Sequence, residues 1–271
     1  LLRVGKLLNI INYLAKSNIF FSCAEKTYRT VEANVDEHAL IYLYEGSLTV
    51  TDIHGNYEIK EGEAMLFYKN MLAKFVKNPA ATVPFHSVAI AFSKSFLTQY
   101  YADNKPGKQF KPQIELCNIA KHPLLTSLFD SILPYYEMQG DTLPAPLSDL
   151  KLKEAMTILR TVEEKSDNIL ANFSGQGKLD LLDFMQKHYA FNISLERFAY
   201  LTGRSLATFK RDFQKAFHTS PQKWIVEKSL KEAYFQIIQK NKRPSDVYLE
   251  VGFENLSHFY CSFKQYFGYN P

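Results

Sequence analysis

Two apolar rows, fifty residues apart, limit what this chain can fold into more than any other feature. Leu206, Phe209, Phe213 and Phe217 follow Ser205, and Leu256, Phe259, Phe263 and Phe267 follow Asn255. The spacing 0, 3, 7, 11 marks one face of an α-helix, whereas a strand would need every second residue. A pattern used twice at a fixed offset points to one supersecondary unit used twice. Ser205 and Asn255 are good helix N-caps. Pro221 and Pro271 keep the same offset and stop or redirect the chain after each row.

Each row has a shorter helical pattern upstream that ends in Gly. These are Ser194–Gly203, with Ser194 as its cap, and Pro244–Gly252, with Pro244 suited to an early helical position. Glycine ends a helix by accepting a left-handed conformation. A short helix, a Gly-bearing turn and a capped helix form the helix-turn-helix pattern. Between the copies, 221–238 reads as one long helix carrying Trp224, Ile225, Leu230, Ala233 and Ile237, with Trp224 expected in the core between the two motifs. About 18 residues make a rod of roughly 27 Å. Successive major grooves on one DNA face lie ~34 Å apart, so such a rod suits two helices in adjacent grooves. Charge agrees with this reading. Residues 178–271 hold 14 Lys+Arg against 9 Asp+Glu, a net of +5, and residues 1–177 hold 18 against 19, a net of −1. A basic module beside a near-neutral one is a common arrangement in nucleic-acid binders.

The first 170 residues read differently. Short runs such as Leu40–Gly46, Ser47–Thr51, Tyr57–Ile59, Ala64–Tyr68 and Ser87–Phe92, with Gly-bearing turns between, suggest a small sandwich or barrel over 27–92. Helical patterns follow at 93–101, 122–133 and 150–164. The apolar stripe of the last (Leu152, Ala155, Met156, Leu159) suits either pairing with a second copy or packing on its own barrel. The polar, Gly-rich Asn172–Gly177 marks a linker, giving domains at 1–170 and 179–271 joined by 171–178. With 46% hydrophobic and 22% charged residues the chain is not globally disordered. Cys23, Cys117 and Cys261 are too few and scattered for a disulfide scaffold and fit a reducing, cytoplasmic setting. No apolar run reaches the ~18 residues of a membrane span. The first residue is Leu rather than Met, as in a trimmed chain.

Val251–Phe259, followed by Phe263–Gly268 and Pro271, resembles the signature of the AraC/XylS family of bacterial transcription regulators. Ser205–Phe213 through Ser220-Pro221 resembles the first helix-turn-helix of that family. The upstream part is similar to the family's cupin-like sensor domain, chiefly over Tyr42–Phe67. Within it Tyr42–Ile53 is similar to the subgroup that activates type III secretion genes under the control of partner proteins. The resemblance implies an α+β chain: a cupin-like β-barrel with following helices, then an all-α domain with two helix-turn-helix motifs joined by a long helix. It also implies a homodimer that binds double-stranded promoter DNA and contacts RNA polymerase. Three departures imply a second motif that packs or binds less typically. Tyr248 stands where relatives have a small Ala, Ser229 replaces an Arg, and the chain stops at Pro271 where relatives continue.

With the Phe rows facing a core, the opposite face of the first reading helix carries Ala207, Thr208, Lys210, Arg211, Gln214 and Lys215 behind the Ser205 cap. Arg or Lys reads guanine edges, Gln reads adenine and Ala meets a thymine methyl. The resemblance singles out Ala207, Lys210 and Arg211. The second helix offers Ser257, His258, Tyr260, Cys261 and Lys264 behind Asn255, a surface with one firm cation, expected to hold phosphates more than to read bases. In the barrel, Phe67, Phe75, Phe85 and Phe92 are candidates for lining a pocket for a small apolar ligand; the alternatives are ordinary core and a regulatory protein bound to the outside. A cupin-type metalloenzyme is the competing function class. His38, His54 and His86 are isolated and no His-x-His occurs, so neither metal nor cofactor is expected.

Overall fold

The computed structural model describes residues 18–30, 33–107 (backbone only at 33 and 34), 111, 116–134, 145–172, 179–191 and 193–271. The chain divides into two compact units, one built mostly from residues before 173 and the other mostly from residues after 178. The expected linker lies outside the described residues from 173 onward.

In the first unit one antiparallel sheet has the order β1 (Ile19–Ala24), β9 (Phe85–Phe92), β4 (His38–Glu45), β7 (Ala64–Phe67), β10 (Cys117–Ile119). A second has the order β2 (Tyr28–Arg29), β8 (Met71–Asn78), β5 (Ser47–Thr51), β6 (Asn56–Lys60), and β3 (Ala33–Val35) also pairs with β8. β5 and β6 form a hairpin because Asp52 Oδ1 accepts hydrogen bonds from His54 N at 2.7 Å and Gly55 N at 3.0 Å, closing the turn that its sequence suggests. β4 passes into β5 through Gly46. Its φ is +86°, and a Cβ there would lie 2.4 Å from Asn78 O, so only glycine fits.

Strand β7, inside the first sheet between β4 and β10, is buried along its whole length, so both faces of the sheet are covered there. On one face Phe67 meets Phe75 of β8 with ring centroids 5.7 Å apart, which places the sheets face to face. On the other, Leu40, Leu66 and Ile90 pack against the helices α1 (Lys94–Asp103), α2 (Pro123–Asp130) and α3 (Ala145–Val162). Ser93 caps α1 through its side chain, as the sequence at 93–101 suggests. The stripe Leu152, Ala155, Met156 and Leu159 is fully buried in this core, so it packs on its own β-layer; Leu150 stays 62% exposed. A short α4 (Ser166–Leu170) closes the unit. There Asp167, which is buried, accepts from Tyr101 Oη at 2.7 Å and Gly107 N at 2.9 Å and pairs with Arg160 at 3.0 Å.

After residue 178 the elements are helical: α5 (Leu181–His188), α6 (Leu195–Leu201), α7 (Leu206–Phe217), α8 (Pro221–Tyr234), a π-turn (Phe235–Gln239), α9 (Pro244–Glu250) and α10 (Leu256–Phe267). The two halves of α8 serve different cores. Trp224 joins Phe198, Phe209 and Phe213, whereas Leu230 and Ala233 join Val247, Phe259 and Phe263. Trp224 therefore belongs to the first motif's core and not to a space between the motifs. Its ring lies 4.7 Å from Phe217 and 5.7 Å from Phe213, because it sits in the first turn of α8, directly after the first motif. The α+β class, with sheets first and paired helical motifs last, is as the sequence implies.

Candidate nucleic-acid interface

Each reading helix is aimed by its cap and held by its apolar row. Ser205 accepts from Thr208 N and starts α7; Asn255 accepts from Ser257 N at 2.7 Å and His258 N at 3.2 Å and starts α10. Both helices stop at a left-handed residue at the same offset, His218 (φ 55°) and Gly268 (φ 87°). Phe209, Phe213, Phe259 and Phe263 have no exposed surface. Phe213 stacks on Phe217 at 4.2 Å and Phe263 meets Phe267 at 4.6 Å, so each row fixes the rotation of its helix about its axis.

That rotation decides what faces outward. Ala207, Lys210, Arg211, Gln214 and Lys215 are exposed on α7, and Thr208 is half-buried, taking a hydrogen bond from the Ser205 hydroxyl at 3.0 Å. On α10, Ser257, His258, Tyr260, Cys261 and Lys264 are exposed, with Asn255 before them. The motifs are thus similar scaffolds with different chemistry. The first presents three cations and an amide along one face. The second presents a hydroxyl, an imidazole, a phenol, a thiol and one ammonium.

The two turns also differ. The first helices, α6 and α9, are offset by 49 residues and the second by 50, so the second turn carries one extra residue. Phe253 in that turn is buried against Phe259 (5.2 Å) and beside His258 (5.5 Å). Gly252 turns the chain at φ +93° with Ala190 O only 3.0 Å from where a Cβ would stand. Tyr248, the departure at the small-residue position, packs half-buried on the second core, and Ser229 is buried in α8.

Sequence reasoning missed two residues behind the first reading face. Arg204 is only 7% exposed in its side chain, and its Nε pairs with Asp212 Oδ2 at 3.2 Å. Its Nη1 donates to Thr202 O at 2.7 Å and Leu179 O at 3.0 Å. The signal available was the repeat itself, since offset 50 puts Glu254 and Ser262 at these positions.

In the first unit, Phe67, Phe75, Phe85 and Phe92 are all buried, but not around one space. Phe67 and Phe75 meet between the sheets; Phe92 lies on the helical side against Phe96 at 6.2 Å. Phe85 lies 5.5 Å from the Nζ of Lys77, whose ammonium donates to Ser22 Oγ at 2.5 Å and is pushed down to a pKa of about 7 by burial. A shallow cleft elsewhere on this unit is lined by Lys121, Pro123, Thr126, Ser127 and Asp130. His86 Nδ1 sits 2.5 Å from Glu45 Oε2. Among the described residues no group of three or more His, Cys, Asp or Glu side chains is placed to hold a metal, and no helix is long and apolar enough to cross a membrane.

Residues 38–173 match the ExsA N-terminal regulatory domain, and residues 198–271 match a helix-turn-helix domain. The HTH-type transcriptional regulator ExsA of Pseudomonas aeruginosa is 24% identical over 253 residues, covering 89% of this chain and 87% of that protein. The virulence regulon transcriptional activator VirF of Yersinia enterocolitica is 23% identical over 258 residues, covering 92% of each. A crystal structure of an apo ToxT variant from Vibrio cholerae has a TM-score of 0.48 at 14% identity, covering 94% of this chain and 96% of that one. With the regulatory-domain match spanning half the chain and the helix-turn-helix match running over both reading helices, the chain belongs to the AraC/XylS family of DNA-binding transcription regulators, in the ExsA-type subgroup.

Proposed function

We propose that the chain is a cytoplasmic transcription activator whose two motifs hold about two turns of promoter DNA. The first motif reads sequence and the second anchors the backbone. The observation that carries this reading is the pair of capped helices with buried Phe rows and exposed outer faces, cationic on α7 and nearly uncharged on α10. In it Arg211 and Lys210 meet base edges with Ala207 beside them, Gln214, Lys215 and Thr208 support them, and α10 supplies phosphate contacts and shape. The chain acts as a homodimer, contacts RNA polymerase, and is controlled through its N-terminal domain. A regulatory protein on the surface of that domain is the input favoured over a small apolar ligand, because the four candidate Phe residues are buried in packing, Phe67 against Phe75 and Phe92 against Phe96.

The test is selection of genomic fragments by the purified chain at near-physiological salt. A recurring motif with elements one helical turn apart supports the reading, and recovery of fragments in proportion to bulk DNA refutes it. Arg211→Ala is expected to weaken binding by about 1–3 kcal/mol and to relax one base position. Equal weakening on every sequence would make Arg211 a phosphate contact instead. Affinity is expected to fall steeply as salt rises, through counterion release, with Lys215→Ala lowering the salt slope by about 1.

A further inference from the structure

Neighbouring residues on a helix point about 100° apart and do not ordinarily meet. Arg211 and Asp212 nevertheless do, with Arg211 Nε 3.7 Å from Asp212 Oδ1. The other oxygen of Asp212 is held by Arg204 at 3.2 Å. Arg204 is itself fixed, buried to 7% exposure and bonded to the carbonyls of Thr202 in the turn and Leu179 before α5. One carboxylate therefore joins an immobile guanidinium to an exposed one, since the Arg211 side chain is 66% exposed. The Arg211 atom nearest Asp212 is Nε, so the approach is from the stem side of the guanidinium and not from its tip. The nitrogens at the tip make the bidentate contact with guanine O6 and N7.

We propose that Asp212, pinned by Arg204, is a positioning residue that sets the Arg211 side chain for base recognition. This rests on the reading above in which Arg211 contacts a base edge. The repeat supplies an internal comparison: at offset 50 the positions of Arg204, Arg211 and Asp212 are Glu254, Cys261 and Ser262. The motif without the reading Arg also lacks the pair behind it. An Arg whose rotamers are narrowed by a neighbouring carboxylate loses less entropy on docking than a free one, so the carboxylate sharpens discrimination. Its negative charge near the phosphates opposes sequence-independent attraction at the same time.

The experiment is selection from a randomised duplex library with the full chain, together with affinity for random-sequence DNA. The variants are Arg211→Ala, Asp212→Asn and the double Arg204→Gln/Asp212→Asn. Arg211→Ala is expected to erase preference at one base position. Asp212→Asn is expected to lower preference at that same position about 3- to 10-fold, while affinity for random DNA stays equal or rises. Full preference retained in Asp212→Asn, with Arg211→Ala erasing it, overturns the positioning role and leaves the reading intact. Parallel loss on all sequences by Asp212→Asn also overturns it, as a merely structural role would give. If Arg211→Ala alters no base position, the reading of Arg211 falls and the proposal falls with it. Should Asp212→Asn leave Arg204 as an unpaired buried charge and unfold, the double variant removes both charges and is judged by the same split.

Discussion

His38 lies at the start of β4 and is 8% exposed, with Nδ1 accepting a hydrogen bond from Lys69 N at 3.2 Å. Burial, then the nearby Lys69 ammonium, pushes its pKa from 6.5 down to about 4. Between those values the unfolded chain binds a proton that the folded chain does not. The associated stability is therefore present above about pH 6.5 and lost as pH falls toward 4. The loss amounts to about 3 kcal/mol by linkage. His38→Gln keeps an acceptor for Lys69 N and is expected to flatten this part of the pH–stability curve, checked by urea melts between pH 4 and 7. Sequence marks His38 only as an isolated histidine. Its burial arises because β4 is flanked by β7 and β9, which are distant in sequence. Arg204 and Asp212, eight residues apart, differ from their offset-50 counterparts Glu254 and Ser262, but that they pair is visible only once the turn folds the first onto the second.

Among elements, the reading helices were legible from spacing alone because a 3.6-residue period is local. Helical patterns at 93–101, 122–133 and 150–164 also correspond to α1, α2 and α3 within a few residues. Strands were less legible. β1 (Ile19–Ala24) and β10 (Cys117–Ile119) lie outside the expected β-region of 27–92 and form because β9 and β7 offer edges to pair with. The long helix expected over 221–238 ends at Tyr234 and continues as a π-turn. Gly252 gives the element-scale prediction. Gly252→Ala forces a side chain into a left-handed conformation and toward Ala190 O, and is expected to cost about 1–3 kcal/mol. Gly268→Ala has a similar φ but nothing within 4 Å of its new methyl, so its cost is expected to be smaller. Hydrogen exchange should show α10 amides losing protection in the first variant while α7 amides keep theirs.

For the whole molecule, the chain divides into two compact units and its buried residues form more than one hydrophobic cluster, an organisation that two-state unfolding does not ordinarily fit. Heating is expected to give two transitions. Lowering the pH from 7 to 5 should move the transition of the β-unit more, through His38, and His38→Gln should remove that difference; a single transition shifting as one would contradict it. By itself the sequence determined the paired motifs, their outward faces, the uneven charge and the family, since all of these are carried by local periodicity and residue identity. Only the tertiary structure decided that the α3 stripe packs on its own sheets, that Trp224 serves the first motif, that Phe92 lies on the helical side while Phe67 and Phe75 meet between the sheets, and that Arg204 reaches Asp212. Each of these depends on which distant surfaces meet. Helical and strand periods say which residues share a face, but not what that face is pressed against.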